Sequence, residues 1–244
     1  DKFFLNTARR AITDFREAVE QVRPPEADLD LLCQRIKGYP HSKQLKEDFV
    51  ISAVDGSGEN PILQQDDVFV YLSVAAGKTY QTETQRQNKL ATITSHNDNF
   101  RDFIVIRDDT KSLRENYASF LERLVGKTVT ELVQESDYCK VFSRFGKRMT
   151  PRELTWDSFA MARASQVGTH AYQIRSLAEL GMAVRMLESK PRYLLLDTSL
   201  VYFLLGETPY LPELLKRYLI CKANDKGTGV LALSKSHNIP NGDL

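Results

Sequence analysis

The chain has 244 residues, enough for one large domain or two small ones, and a chain of this size can bury roughly three-quarters of its unfolded surface without a disulfide or metal staple. Hydrophobic residues at 42% and charged residues at 27% exclude wholesale disorder. Lys plus Arg number 33 against 32 Asp plus Glu, which excludes a nucleic-acid binder working by overall positive charge and leaves room only for a local basic groove.

Cys33, Cys139 and Cys221 form no CxxC pair, so neither a zinc ribbon nor a redox motif is available, and reduced thiols in a cytoplasmic protein are expected. No apolar run approaches the roughly 18 residues of a membrane span, and the first residues show no signal-peptide pattern. No membrane partner is expected.

In chain order, Leu5, Ala8, Ile12, Phe15, Val19 and Val22 predict an amphipathic helix stopped by Pro24 and Pro25. A second helix is predicted over 29–36, ending at Gly38. Their apolar faces fit core packing or a dimer or partner surface. Phe49–Val54, Val68–Val74 and Phe103–Ile106 read as strands, being β-branched or aromatic and bounded by turn residues. Between them, 80–94 alternates weakly and fits a strand pair or an extended loop.

From 111 to 187 the pattern is mostly helical. Leu113, Tyr117, Leu121 and Leu124 form one stripe closed by Gly126. Thr150-Pro151-Arg152-Glu153 is a capping box that opens a helix through Trp156, Phe159 and Met161. Another helix carries Ile174, Leu177, Gly181, Val184 and Leu187, with Pro191 after it. Tyr193–Leu196 reads as a buried strand, 211–221 as a short helix and Gly229–Leu233 as a last strand. This order predicts an α/β fold, a mixed sheet with helices packed on it.

Two strand ends are alike: Ala53-Val54-Asp55-Gly56-Ser57 and Leu195-Leu196-Asp197-Thr198-Ser199. Either aspartate alone fits the start of a turn. On neighbouring strands the two carboxylates would also suit hard divalent cations, and a two-metal site can activate water for phosphodiester hydrolysis. Glu179 lies 18 residues before Asp197, among Ala178, Leu180 and Gly181; it fits a surface ion pair with Arg175 or a third carboxylate aimed at a site. Lys235 and His237 follow the last strand. A lysine there could stabilise phosphoryl oxygens and a histidine could bind metal or donate a proton, although each also reads as plain surface. Lys140, Arg144, Lys147 and Arg148 are interleaved with Tyr138, Phe142 and Phe145, which fits a solvated helix face or a track for a nucleic-acid strand.

An Asp-Gly-Ser strand end, a helix glutamate, an Asp-x-Ser-Leu strand end and a strand closing on Ser-Lys, in that order, resemble the NurA nuclease family over roughly 49–237. The resemblance implies an RNase H-like mixed β-sheet flanked by helices, with an N-terminal helical extension over 1–45 and a nuclease domain over 46–244 carrying a helical insertion about 111–168. It implies a manganese- or magnesium-dependent DNA nuclease, 5′–3′ exonuclease and single-strand endonuclease, in DNA end resection or anti-phage defence. The expected cofactors are two Mn2+ or Mg2+ ions held by Asp55, Glu179 and Asp197, with Lys235 near the scissile phosphate. The expected partners are DNA, a HerA-type hexameric translocase and a second copy of the chain.

Thr198 stands where the family usually has Gly, and the family continues past Ser-Lys with a helix carrying a further His or Asp of the site, for which His237 is the available substitute. The alternative expectations are a catalytically silent RNase H-like subunit or adaptor, and a nuclease of another RNase H-like family such as a Piwi-type slicer.

Overall fold

A computed structural model of the chain describes residue 13 and residues 47–58, 61–66, 68–83, 89–107, 110–143, 145–157, 167–197 and 210–233. The two helices predicted before residue 40, the continuation of the helix past 157, and Thr198, Lys235 and His237 lie outside these residues. Contacts divide the chain into a unit Asp1–Lys43 and a unit Gln44–Leu244, and the elements that follow all belong to the second.

They are β1 (Val50–Ser57), β2 (Leu63–Gln65), β3 (Val68–Glu83), β4 (Lys89–Thr92), β5 (Asp98–Arg107), α1 (Thr110–Val125), α2 (Val129–Gln134), α3 (Pro151–Asp157), α4 (Val167–Met186), β6 (Tyr193–Leu196), α5 (Tyr210–Asp225) and β7 (Gly229–Ala232). The fold is mixed α/β. In the sheet β5, β3 and β1 pair antiparallel in that order, and β6 and then β7 add in parallel on the far side of β1. Short β2 and β4 pair with the two ends of β3. Parallel neighbours cannot be joined by a tight turn, so α5 carries the chain back from the end of β6 to the start of β7.

Strand alternation gives the sheet two unlike faces. Phe69, Tyr71, Ser73, Ala75 and Thr79 of β3, Ser52 and Val54 of β1, Phe100, Ile104 and Ile106 of β5, and Leu194 and Leu196 of β6 are all buried. The observed registers, among them Val54 opposite Leu196 and Tyr71 opposite Ile104, put these residues on one face. Helix α4 packs on that face against β3, β1 and β5, and on its other sides against α1 and α5. It is therefore buried nearly all round: Ile174, Leu177, Ala178, Leu180, Met182 and Ala183 are at most 1% exposed. Tyr117, Phe120, Leu121 and Leu124 of α1 and Leu214, Leu215 and Leu219 of α5 close the core around it. Each large apolar side chain buried there contributes about 1.5–3 kcal/mol. Within this core the Tyr117 hydroxyl bonds to His170 Nδ1 at 3.0 Å, and burial pushes the Tyr117 phenol well above its ordinary pKa.

The structure differs from the sequence reading in three places. β3 runs nine residues past Val74, and its last residues pair with β4, Tyr80 opposite Thr92, which is the strand pair that is one of the two readings of 80–94. Ala75, Ala76 and Gly77 hide the alternation there, because their small side chains carry little hydrophobic contrast. A second capping box, Thr128 with Glu131, starts α2, with Glu131 N–H donating to Thr128 Oγ1 at 3.3 Å. Third, 142–148 is a β-hairpin rather than part of a helix, with Phe142 bridged to Arg148. The capping box read at Thr150 is present: the Thr150 N–H donates to Glu153 Oε2 at 2.8 Å and the Glu153 N–H to Thr150 Oγ1 at 3.2 Å. Among the described residues no helix is long and apolar enough to cross a membrane.

Candidate metal centre and nucleic-acid interface

Asp55 sits near the end of β1 and Asp197 directly follows β6. The strands are parallel, with Val54 opposite Leu196, and the Asp197 N–H continues the ladder by donating to the Val54 carbonyl at 3.4 Å. The two aspartates are thus the next register pair. Since Val54 and Leu196 point into the core, alternation turns both aspartates to the opposite face of the sheet.

There they line one cavity of about 500 Å³. Its walls include Ala53, Ala76, Leu195 and Leu233, and its remaining polar members are Lys78 and Tyr80 of β3. Ala76 is the register partner of Asp55, and Ala53 that of Lys78. Small residues opposite long polar ones leave the space that forms the cavity. Lys78 lies one diagonal step from Asp55 across the β1–β3 ladder, a spacing of about 7 Å, within reach of a long side chain. The sequence reading missed Lys78 because it ended the strand at Val74. The signal was present, since Lys78 follows Leu72, Val74 and Ala76 at two-residue spacing.

Glu179 approaches from the other face. It is 2% exposed and belongs to α4, and a Cβ added to Gly56 would lie only 2.4 Å from Glu179 Cγ and 3.1 Å from its Oε1. This close approach requires glycine at the residue after Asp55. The ion pair weighed for Glu179 is present, with Arg175 Nε at 2.9 Å from Oε1, but it is half-buried rather than a surface pair. The structure thus brings Asp55 and Asp197 together and sets Glu179 across the sheet from them, against Gly56.

Two carboxylates beside open space fit a hard cation of the magnesium type. Such an ion keeps several waters and is commonly held by one or two carboxylates plus substrate phosphate oxygens. Among the described residues no group of three His, Cys, Asp or Glu side chains is placed to hold a metal ion.

The basic and aromatic cluster lies elsewhere. Tyr138 is 53%, Phe142 50% and Phe145 81% exposed. Lys140 pairs with Asp137, and Lys147 with Glu153 at 2.7 Å. The Arg217 guanidinium lies 5.5 Å from the Tyr138 ring centre and donates to the carbonyls of Tyr138 and Lys140, tying the segment to α5. Hydrogen bonds from Lys147 and from the Thr150 N–H and hydroxyl pull the Glu153 carboxyl down to about 2. Arg144 lies outside the described residues.

Comparison with protein-family models, with curated proteins and with solved structures gave no match.

Proposed function

We propose that the chain is a divalent-metal-dependent deoxyribonuclease of the NurA type, with Asp55 and Asp197 as the paired carboxylates of its centre. The observation that carries this reading is their shared register on neighbouring parallel strands, facing one cavity with Lys78. The mixed sheet with helices packed on it fits the RNase H-like fold that the resemblance implies and supports the same reading.

Asp55 and Asp197 would hold the cation, which when bound activates water and offsets charge on the phosphodiester. The β1–β3 ladder holds Asp55 opposite Ala76, and the N–H of Asp197 is tied to the Val54 carbonyl, so both backbones are fixed before substrate arrives. Lys78 would stand beside the same cavity as a cation for a phosphate oxygen, the role that the resemblance gives to Lys235. Glu179, which the resemblance gives as the third carboxylate, stands across the sheet against Gly56 and is paired with Arg175, so the proposed cation rests on the two aspartates. The near-neutral net charge fits a nuclease that receives DNA from a HerA-type translocase rather than capturing it alone. A homodimer facing that partner is part of the same proposal.

The position of Glu179, across the sheet and already paired, favours a second reading: a catalytically silent RNase H-like subunit of a nucleic-acid-processing assembly.

The test is digestion of end-labelled linear DNA with manganese, with and without a HerA-type partner. Cleavage that chelation stops and Asp55→Ala abolishes supports the nuclease. A folded wild-type chain that binds the partner and cuts nothing supports the silent subunit.

A further inference from the structure

We propose that the hairpin at 142–148 is a base-stacking element that binds single-stranded nucleic acid, with Phe145 and Phe142 as its stacking faces. The inference rests on the function proposed above only in taking the ligand to be nucleic acid.

The hairpin is a built structure. Its two ends are rooted in the core by Val141 and Met149, 1% and 3% exposed, and the Met149 N–H donates to the Val141 carbonyl at 3.0 Å. One rung further, the Ser143 N–H donates to the Lys147 carbonyl at 2.8 Å. Gly146, at φ 75°, closes the turn in the left-handed region that a side chain resists, and its N–H donates to the Ser143 carbonyl at 2.9 Å. Lys147 ties the second arm to Glu153 at the start of α3.

Alternation then decides what the hairpin presents. With Val141 and Met149 turned inward, the opposed pair Phe142 and Arg148 turns outward. Phe145 stands at the tip, 81% exposed. A phenylalanine so placed leaves most of its apolar area in water. The hairpin carries a second exposed ring, Phe142, three residues before it in the chain, and Tyr138, four residues before Phe142, is exposed as well.

Charge selects the occupant. Residues 137–153 hold five basic side chains against two acidic ones, so the segment is net positive although Lys140 and Lys147 are paired with Asp137 and Glu153, and Arg217, itself paired with Glu213, lies over Tyr138. Aromatic faces among cations suit a strand that offers phosphates and unstacked bases together. A protein partner is the poorer fit, because the cores of protein interfaces are depleted of lysine. A duplex is poorer still, because its base faces are already stacked on one another.

The test is fluorescence anisotropy of the intact chain with fluorescein-labelled oligo(dT) and with a labelled duplex of equal length, in EDTA so that nothing is cut. Phe145→Ala, whose exposed site leaves the melting temperature unchanged, is expected to weaken oligo(dT) binding about tenfold while duplex binding changes less than about twofold. Phe145→Trp is expected to restore oligo(dT) binding. Unchanged oligo(dT) binding in Phe145→Ala, equal losses on both probes, or no binding of oligo(dT) by the wild-type chain would each overturn the inference and leave the exposed rings as a protein contact. If the wild-type chain cuts DNA while Phe145→Ala binds oligo(dT) normally, only this inference fails. If oligo(dT) binding depends on Phe145 but no form of the chain cuts DNA, only the nuclease reading fails.

Discussion

Asp55 and Asp197 each follow a member of the in-register pair Val54 and Leu196 on parallel strands, and the Asp197 N–H donates to the carbonyl of Val54. Two like charges side by side on one sheet face oppose folding, by about 0.2–1 kcal/mol for a directly opposed pair. Asp197→Asn should therefore leave the metal-free protein as stable as the wild type or slightly more so, while lowering DNA cleavage at least a hundredfold. Manganese should raise the wild-type melting temperature and leave that of Asp197→Asn unmoved, because only the native pair binds the ion. Thermal unfolding with and without manganese checks both halves. A variant that is strongly destabilised without metal would mean that Asp197 serves the fold instead.

Gly56 and Glu179 give a second prediction. A methyl group at 56 meets the Glu179 stem at 2.4 Å, so Gly56→Ala should cost about 1–3 kcal/mol in urea unfolding. Glu179→Ala should also destabilise, by removing the stem that packs on Gly56 and the partner of Arg175. Combining the two should cost clearly less than their sum, because the second change removes the clash made by the first. Simple additivity would place Glu179 away from Gly56.

The start of α3 sets an acid response. Glu153 falls from its ordinary 4.5 to about 2 in the folded chain, chiefly through Lys147 and then through the Thr150 N–H and hydroxyl. A depressed carboxylate contributes stability that is fully present above its unfolded pKa and is lost as pH falls through the folded one. The contribution of Glu153 should thus fade between about pH 4.5 and 2. Glu153→Gln should have a shallower loss of stability over that window, followed by circular dichroism. A parallel loss in both proteins would show that Lys147 and Thr150 do not hold this carboxylate.

Much of this arrangement was legible in the residues. Val54 and Leu196 each end an aliphatic run, so the aspartates after them could be placed at strand ends from sequence alone. Their adjacency could not, because the β1–β6 pairing joins residues far apart in the chain and leaves no local trace. Lys78 was lost where Ala75, Ala76 and Gly77 flatten the two-residue rhythm. Glu179 could not be assigned a direction because α4 is buried on nearly every side, polar His170, Gln173 and Ser176 included, so its pattern names no face. Phe142 and Phe145 mimic a helical stripe through their three-residue spacing, and only Gly146 marks the turn that makes them a hairpin.

The central claim is that Asp55 and Asp197 together form the cation site. Calorimetric titration of the intact chain with manganese chloride tests it most directly, comparing the wild type with the double variant Asp55→Asn, Asp197→Asn. The account predicts saturable binding to the wild type and its loss in the folded double variant. Equal binding to the two proteins would contradict it, and the paired aspartates would then be strand ends without a metal.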